Sequence, residues 1–252
     1  MILVPAQVRQ PTSTRPHGDT LSWYVHAMPD RTFDAVIFDM DGVLCDSEPF
    51  IAAAAGEMLR RRYGIAATRE DFLPFVGAGE DRFISGAAQR HGVTVDLAVD
   101  KPLTYEIYLE LIPGQLQPIN GAREFVAAAR AAGLLLALAT SSDRPKLNGN
   151  LAAIGIPEST FDVVISAELV THKKPDPETF RRAVELLGLP ASRCLVVEDA
   201  QNGVRAARGA GCAVLGIASS QPAAVLLGEG AFVVAADFTA LPAEVRAALG
   251  LD

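Results

Sequence analysis

Three short apolar runs, each followed directly by polar side chains, constrain the fold of this chain most strongly. The polar segments are Asp39-Met40-Asp41-Gly42 after the run 35–38, Thr140-Ser141-Ser142 after the run 134–139, and Glu198-Asp199 after the run 194–197. In an open parallel sheet, ligands bind at the edge where the carboxyl ends of the strands meet. The sequence therefore predicts that these segments, distant along the chain, converge on one crevice.

From residue 121 onward, strand and helix signals alternate. The predicted strands of the whole chain are 34–39, 134–139, 162–166, 194–198, 213–218 and 231–234. The predicted helices of this second half are 121–132, 144–154, 177–187, 202–210 and 242–249. Alternating strand–helix units are typical of a parallel sheet with right-handed crossovers. We therefore expect an α/β fold with a Rossmann-like parallel sheet core.

The segment between the first two predicted strands carries only helix signals. Ser47-Glu48-Pro49 favours a helix start, because it combines an acid in the first turn with a proline near the first position, and Gly64 suits the helix end. Further helices are expected at 69–74, 80–91 and 96–112. The pattern predicts an inserted all-helical cap domain, with boundaries at 47–118 for the cap and at 32–46 and 119–252 for the catalytic core.

Residues 1–31 differ from the rest, because prolines are scattered through them and hydrophobic periodicity is lacking. We expect a loosely ordered N-terminal arm. The arm contains Arg9 and Arg15 and has no acidic residue before Asp19, a composition that is also typical of organelle transit peptides. An extension upstream of a start at Met28 accounts for the same residues and is the preferred interpretation, so a cytoplasmic location is expected.

Composition argues against several classes of partner. The formal net charge of -8 opposes nucleic-acid backbones and anionic membrane surfaces, and no apolar stretch reaches the roughly 18 residues that span a bilayer. Cys45, Cys194 and Cys212 lack metal-site spacing and are expected to be reduced thiols. The four histidines show no ligand spacing, so neither a zinc site nor a Ser-His triad is supported. We expect no nucleic acid and no membrane as partner, and a monomer or weak homodimer.

Asp39 and Asp41 form the most informative pair, because side chains two residues apart on an extended chain leave on the same side. Both carboxylates can face one reaction centre, while Gly42 lets the backbone turn away without a Cβ clash. A calcium loop of about 12 residues counted from Asp39 needs an acid at its last position, where this chain has Phe50. A metal-and-nucleophile arrangement and a solvated acidic turn therefore stay open for these residues alone, and the motifs farther along the chain favour the first.

In this order, the motifs resemble the haloacid dehalogenase-like hydrolase superfamily, in its phosphatase and β-phosphoglucomutase-like branch with a helical cap, over residues 33–240. The matching residues are Asp39, Asp41, Gly42, Asp46 and Ser47 in the first motif, then Thr140, then Lys174-Pro175, then Glu198-Asp199. The stretches 71–80 and 151–155 are also similar to the hydrolase-like domain of plant chloroplast quenching-suppressor proteins.

This resemblance implies a Mg²⁺-dependent phosphatase that hydrolyses a small phosphorylated metabolite, such as a sugar phosphate, through an aspartyl-phosphate. Asp39 is then the nucleophile and Asp41 the acid/base. Lys174 and Thr140 complete the catalytic set by binding phosphoryl oxygens, a role that Ser142 can share with Thr140. The implied metal ligands are Asp39, Asp41 through its backbone carbonyl, Asp199 and, more weakly, Glu198.

Substrate choice is expected to depend on the cap, whose closure brings in residues that the core lacks. Residues 75–80 with Arg82 form the predicted specificity loop, in which a glycine pair frees the backbone and Arg82 is suited to an anionic group. The candidate substrate contacts are Gly77, Glu80 and Arg82 in the cap, and Ser141 and Ser142 in the core. An ordinary turn between helices is the alternative interpretation.

Three other functions stay open. A β-phosphoglucomutase-like mutase uses the same core, but members of that branch carry a His in the helix after the first motif, where this chain has Ile51. A dehalogenase does not need the second carboxylate, Asp41. A catalytically idle binding domain does not need an intact set of acids with Lys174 and Thr140.

Overall fold

The computed structural model describes residues 32–75 and 79–251, in which six parallel strands form one sheet in the order β3-β2-β1-β4-β5-β6. The strands are β1 (Ala35–Phe38), β2 (Leu135–Ala139), β3 (Val163–Ile165), β4 (Cys194–Glu198), β5 (Ala213–Ile217) and β6 (Val233–Ala235). The helices are α1 (Glu48–Tyr63), α2 (Arg69–Phe72), α3 (Glu80–Arg90), α4 (Leu97–Leu111), α5 (Ala122–Ala131), α6 (Arg144–Ile154), α7 (Glu178–Leu187), α8 (Gln201–Gly209), α9 (Ala223–Glu229) and α10 (Ala243–Leu249). The predicted α/β fold with a Rossmann-like parallel sheet is confirmed.

Strand β1 lies at the centre of the sheet and is buried on both faces. Val36 and Phe38 contact one hydrophobic cluster and Ala35 and Ile37 the other, because successive side chains of a strand point to opposite faces. Burial of a side chain such as Phe38 contributes roughly 2–3 kcal/mol. The continuous apolar run of the sequence thus reflects a strand covered by helices on both sides.

Pairing of β1 with both β2 and β4 decides where the polar segments meet. Phe38 lies opposite Leu138 on one side and opposite Val197 on the other. The residues that follow in each strand therefore reach the same edge of the sheet. The strand order also reverses next to β1, and such a switch point is where open α/β sheets bind ligands.

Helices α1 to α4 form a helical insertion between β1 and β2, called the insertion below, and α1 packs against α4. Buried Asp100 joins the two helices, since it accepts hydrogen bonds from Arg62 Nε at 2.9 Å and from the Tyr63 hydroxyl. Helix α1 ends at Gly64, whose φ of 68° suits glycine. The predicted domain boundaries at 47 and 118 stay a prediction.

Two elements differ from the sequence-based expectation. The segment predicted as one helix at 69–74 is α2 followed by a 3₁₀ turn at Leu73–Phe75, because Pro74 has no N–H to continue the α-helical bonding. Helix α9, which has seven residues, was not among the predicted helices.

The N-terminal arm predicted at residues 1–31 lies outside the described residues. In the part of the chain that the structure describes, no helix combines the length and the apolar character that crossing a membrane requires.

Candidate active site

A crevice of about 480 Å³ lies at the carboxyl edge of the sheet. The structure brings the predicted catalytic and metal residues together there, and the crevice is lined by Asp39, Asp41, Thr140, Lys174, Glu198 and Asp199. Asp39 and Asp41 follow β1, Thr140 follows β2, and Glu198 ends β4. The predicted convergence of distant segments on one crevice is therefore observed.

Lys174 is the cation at the centre of this cluster and is itself buried. Its Nζ lies 2.8 Å from Asp39 Oδ1 and 2.7 Å from Glu198 Oε1, and it also donates to the carbonyl of Ala139 at 3.3 Å. A buried ammonium keeps its charge only when such partners replace its water shell. Lys174 is thus fixed beside Asp39 by two strands of the sheet.

Glu198 and Asp199 have different surroundings. Glu198 Oε1 accepts from Lys174, and Glu198 Oε2 accepts the backbone N–H groups of Asp199 and Ala200 at 2.9 and 3.0 Å. Both oxygens of Glu198 are therefore already bonded within the protein. Asp199 accepts a hydrogen bond from Ser220. Of this acidic pair, Asp199 is the better placed to offer an oxygen to a ligand.

Asp39, Glu198 and Asp199 could together hold a metal ion, because each offers a carboxylate oxygen within 4.8 Å of the others. All three are buried, and oxygen donors of this kind suit hard divalent cations such as Mg²⁺. Among the described residues, the ammonium of Lys174 pairs with Asp39 and Glu198, so the three carboxylates keep an excess of negative charge. The donor set therefore fits a divalent cation in both chemistry and charge.

Crowding of acids changes the protonation of this cluster. Burial, helped by the charges of Glu198 and Asp41, raises the pKa of Asp39 to about 7 against the opposing charge of Lys174. Burial, with the neighbouring charges of Glu198 and Asp39, also raises the pKa of Asp199 well above its usual range. Both shifts have the same physical origin, because negative charge is gathered where little water reaches it.

Asp41 lies among hydrogen-bond donors instead. Its Oδ2 is 2.6 Å from Ser142 Oγ and 2.9 Å from Lys146 Nζ, and its Oδ1 accepts from Asn150 Nδ2 at 3.2 Å and from the Ser47 hydroxyl. Burial raises the pKa of Asp41, but the charge of Lys146 and the bonds from Ser142 and Ser47 outweigh it, so that the pKa lies below its usual value.

Lys146 and Asn150 were missed by the sequence analysis. Both lie on α6, four residues apart, so they occupy one face of that helix. This spacing behind the Thr140 segment was the signal that could have identified them. Burial lowers the pKa of Lys146, but the charges of Asp41 and Glu80 outweigh it and hold the pKa above its usual value.

The predicted substrate contacts are only partly brought together. Ser141, Ser142 and Glu80 line the crevice, and Thr140 Oγ1 accepts the backbone N–H of Ser142 at 3.0 Å, which leaves the hydroxyl proton of Thr140 free to donate elsewhere. The described residues that line the crevice do not include Arg82, whose guanidinium carbon lies 5.1 Å from the centre of the Phe75 ring. Gly77 lies outside the described residues.

Asp143 stands at the N-cap of α6, but its side chain makes no capping bond. Its Oδ2 lies 2.7 Å from Lys101 Nζ and accepts from the Tyr105 hydroxyl at 2.9 Å. Asp143 therefore ties the start of α6 to α4 of the insertion.

The fold and this arrangement of acids agree with a comparison of the chain with known families. Residues 33–211, more than half of the chain, match the sequence profile of the haloacid dehalogenase-like hydrolases. The chain belongs to this family. The predicted resemblance, and the prediction that the chain is an enzyme of the hydrolase class, are confirmed.

Individual relatives cover most of the chain. The protein SUPPRESSOR OF QUENCHING 1, chloroplastic, of Arabidopsis thaliana is 37% identical over 206 residues, which are 81% of this chain and 19% of that relative. The protein CbbY of Rhodobacter capsulatus is 31% identical over 72% of this chain and 83% of its own length. The phosphorylated carbohydrates phosphatase of Thermotoga maritima is 30% identical over 71% and 82%. This chain thus spans about a fifth of the plant protein and most of the bacterial ones.

A solved structure supports the same fold. The crystal structure of CbbY from Rhodobacter sphaeroides in complex with phosphate superimposes with a TM-score of 0.72 at 26% identity, over 82% of this chain and 95% of that chain. The similarity extends over the sheet and its helices rather than over a single motif.

Proposed function

We propose that the protein is a Mg²⁺-dependent phosphatase that hydrolyses a small phosphorylated metabolite through an aspartyl-phosphate on Asp39. The observation that carries this proposal is the position of Asp39, buried at the strand end with Lys174 Nζ at 2.8 Å and with Asp199 beside it. The names of the bacterial relatives, which include a phosphatase of phosphorylated carbohydrates, support the same class of substrate.

In the first step an oxygen of Asp39 attacks phosphorus, and the bond between phosphorus and the leaving oxygen breaks. Asp41 gives a proton to that oxygen as it departs, so the products are an alcohol and the phosphorylated Asp39. In the second step a water attacks phosphorus and gives a proton to Asp41, while the bond to Asp39 breaks. Phosphate leaves, and Asp41 carries a proton for the next cycle.

Between the two steps Asp41 must be a carboxylate, and its surroundings favour that form. Lys146 at 2.9 Å and the hydroxyl of Ser142 at 2.6 Å both stabilise a negative charge on Oδ2. The charged side chain is then ready to accept the proton of the attacking water. The two acids therefore have distinct tasks, set by what lies next to each.

Lys174 and Thr140 bind the phosphoryl oxygens in this proposal. Lys174 offsets the negative charge shared between Asp39 and the phosphoryl group, and Thr140 donates its hydroxyl proton. Asp39 and Asp199 would hold Mg²⁺, with Glu198 acting chiefly as the partner of Lys174. The metal supplies positive charge for the transferred group.

Metal removal tests the proposal. Dialysis against a chelator should abolish hydrolysis of para-nitrophenyl phosphate, and Mg²⁺ should restore it and raise the Tm, because a cation relieves the repulsion among buried carboxylates. The Asp199→Asn variant should lose most of the Tm response. Full activity of the metal-free protein would overturn the metal assignment.

A phosphosugar mutase is the alternative function. The branch that performs this reaction carries a His after the first motif, whereas Ile51 lines the crevice here and has no proton to transfer. Incubation with a panel of phosphorylated metabolites that includes β-glucose 1-phosphate should release phosphate. Formation of glucose 6-phosphate without release of phosphate would instead identify a mutase.

A further inference from the structure

Lys146 belongs to none of the motifs, yet it lies between carboxylates of two different regions. It is 4% exposed, and its Nζ lies 2.9 Å from Asp41 Oδ2 and 3.3 Å from Glu80 Oε1. It also donates to Ser142 Oγ at 3.2 Å. Asp41 follows β1, whereas Glu80 is the first residue of α3 in the insertion. One buried ammonium thus joins the acid at the strand end to the insertion.

Ser142 reinforces this junction. Its Oγ is 2.6 Å from Asp41 Oδ2 and 2.9 Å from Glu80 Oε1. A hydroxyl has one proton, so Ser142 can donate to only one of the two carboxylates at a time. Lys146 must therefore donate to the other carboxylate. Glu80 is itself buried, and within the described residues its Oε2 has no hydrogen-bond partner. Its contact with the core therefore depends on Oε1.

We infer that Lys146 is a positioning residue that holds the Asp41 carboxylate in its working orientation, and that Glu80 makes this hold depend on docking of the insertion. The inference rests on the proposed role of Asp41 as acid/base. It assigns to Lys146 and Glu80 a task that needs no contact with the substrate. When the insertion opens, Glu80 moves away from Lys146. The position of Lys146 beside Asp41 then changes, whereas the contact between Asp39 and Lys174 is kept.

A merely structural role for Lys146 predicts something different. In that case the ammonium only neutralises buried acids, and its loss lowers stability and slows all substrates alike. Lys101 of α4 provides the matched comparison, because it also joins the insertion to the core, through Asp143 Oδ2 at 2.7 Å, while it pairs with Asp81 Oδ1 inside the insertion at 2.7 Å. Within the described residues, the ion-pair partners of Lys101 are Asp81 and Asp143 and not Asp41.

The test compares kcat/KM for an alkyl phosphate, glycerol 2-phosphate, with that for para-nitrophenyl phosphate. This ratio reports the steps up to departure of the leaving group, and only the alkoxide needs a proton from Asp41. Lys146→Met should lower kcat/KM for glycerol 2-phosphate by about 100-fold, the lower range of general acid contributions, because a carboxyl that is no longer held in place delivers its proton poorly. Loss of the ammonium charge by itself would instead favour the protonated form of Asp41, so a loss of rate reports orientation. For para-nitrophenyl phosphate the loss should stay within about fivefold, and the loss for the alkyl ester should be in kcat rather than in KM.

Two further variants make the test specific. Lys101→Met should change kcat/KM for the two esters by the same factor. The double variant Asp41→Asn/Lys146→Met should be no slower on glycerol 2-phosphate than Asp41→Asn alone, because residues that act through one another are not additive. Equal losses on both esters in Lys146→Met, or the same ester dependence in Lys101→Met, overturn the inference.

The two proposals fail in distinguishable ways. If Asp41→Asn itself slows both esters equally, the acid role of Asp41 is wrong and the proposed mechanism fails with it. If Asp41→Asn discriminates between the esters and Lys146→Met does not, only the positioning role fails. Should Lys146→Met not fold, Glu80→Gln decides, since it keeps the size of the side chain and removes its charge. It should lower kcat/KM for glycerol 2-phosphate at least about fivefold more than kcat/KM for para-nitrophenyl phosphate, and an equal effect on both esters contradicts the inference.

Discussion

Asp39 and Asp41 leave the same strand end two residues apart, but different parts of the molecule surround them. Asp39 is paired with Lys174 and lies beside Glu198 and Asp199, all of which belong to loops and strand ends of the sheet. Asp41 contacts Lys146 and Asn150 on α6. These two side chains in turn contact Glu80 and Tyr108 of the insertion.

This difference indicates how one fold can separate two chemical tasks. Within the described residues, the ion-pair and hydrogen-bond partners of Asp39 come from the core rather than from the insertion, so we expect them to stay in place when the insertion moves. The surroundings of the acid/base are completed by the insertion, so they depend on its docking. The predictions below test this separation, beginning with the change expected to have the largest effect.

Asp39→Asn should abolish turnover of both aryl and alkyl phosphates, because an amide cannot form the aspartyl-phosphate. We expect a loss of at least about 1,000-fold, as is found when a nucleophile is removed from an enzyme. Steady-state kinetics measure the loss, and circular dichroism with thermal unfolding checks that the fold is intact. Activity within tenfold of the parent protein would falsify the covalent assignment.

Gly203→Ala should disturb the residues around Asp39, namely Lys174 and Glu198. A Cβ at Gly203 would lie 1.7 Å from Glu198 Oε1, so Glu198 must move and Lys174 loses a partner. We expect unfolding to become easier by about 1–3 kcal/mol and both esters to be slowed by the same factor.

Gly228→Ala is the control for this variant, because a Cβ there meets nothing within 4 Å. It replaces a glycine inside α9 and should stabilise the protein by about 0.5–1 kcal/mol with unchanged kinetics. Urea unfolding and the two kcat/KM values measure both variants. If Gly203→Ala slows only the alkyl ester, the separation between the two sides of the site is wrong.

Asn150→Ala should disturb the position of Asp41 and leave the contacts of Asp39 unchanged. It removes the 3.2 Å bond to Asp41 Oδ1 and leaves the Tyr108 hydroxyl without this partner. We expect kcat/KM for glycerol 2-phosphate to fall about tenfold, a part of what general acid catalysis supplies, and kcat/KM for para-nitrophenyl phosphate to change little. Tyr108→Phe should act in the same direction with a smaller effect, and a loss confined to the aryl ester would contradict this view.

Asp71→Asn should have the smallest effect and should show that a weaker insertion is not sufficient to disturb Asp41. The backbone N–H of Thr68 and the side chains of His91 and Arg90 hold the pKa of Asp71 at about 2. A depressed pKa stabilises the fold above the unfolded value of 3.8 and loses that contribution as pH falls toward 2. The variant should cost about 1 kcal/mol at neutral pH, as loss of a helix cap does.

The pH dependence of unfolding checks this last prediction. The difference between the parent protein and Asp71→Asn should shrink between pH 4 and pH 2, and the ratio of the two kcat/KM values should not change at neutral pH. A constant difference over that pH range would show that the charge of Asp71 is not what stabilises the start of α2.

The sequence was sufficient for the sheet and for the residues that follow its strands. Apolar runs with polar ends are local signals, and parallel pairing then decides that Asp39, Thr140 and Glu198 meet. The direction of the Arg82 side chain could not be predicted, because tertiary packing decides how α3 is rotated about its axis. In the structure Arg82 lies over the ring of Phe75. Nor does a sequence show that both oxygens of Glu198 are already bonded to the protein.

The Asp41 side was the part that sequence reasoning missed. The four-residue spacing of Lys146 and Asn150 places them on one face of α6, but only the tertiary fold shows that this face looks toward Asp41. Their partners, Glu80 and Tyr108, come from helices of the insertion whose docking no local pattern encodes. The role of Glu80 as a substrate contact stays a prediction, and no signal in the sequence indicated that Glu80 is bonded to Lys146 and Ser142.

Trapping of the covalent intermediate tests the central claim most directly. Protein mixed rapidly with para-nitrophenyl phosphate and Mg²⁺, quenched in acid and digested, should carry one phosphoryl group on the peptide that contains Asp39, and hydroxylamine should remove it. Asp41→Asn should accumulate more of this adduct, because the water that hydrolyses it has lost its base. Turnover with no adduct on this peptide, or with the adduct on another residue, would contradict the account.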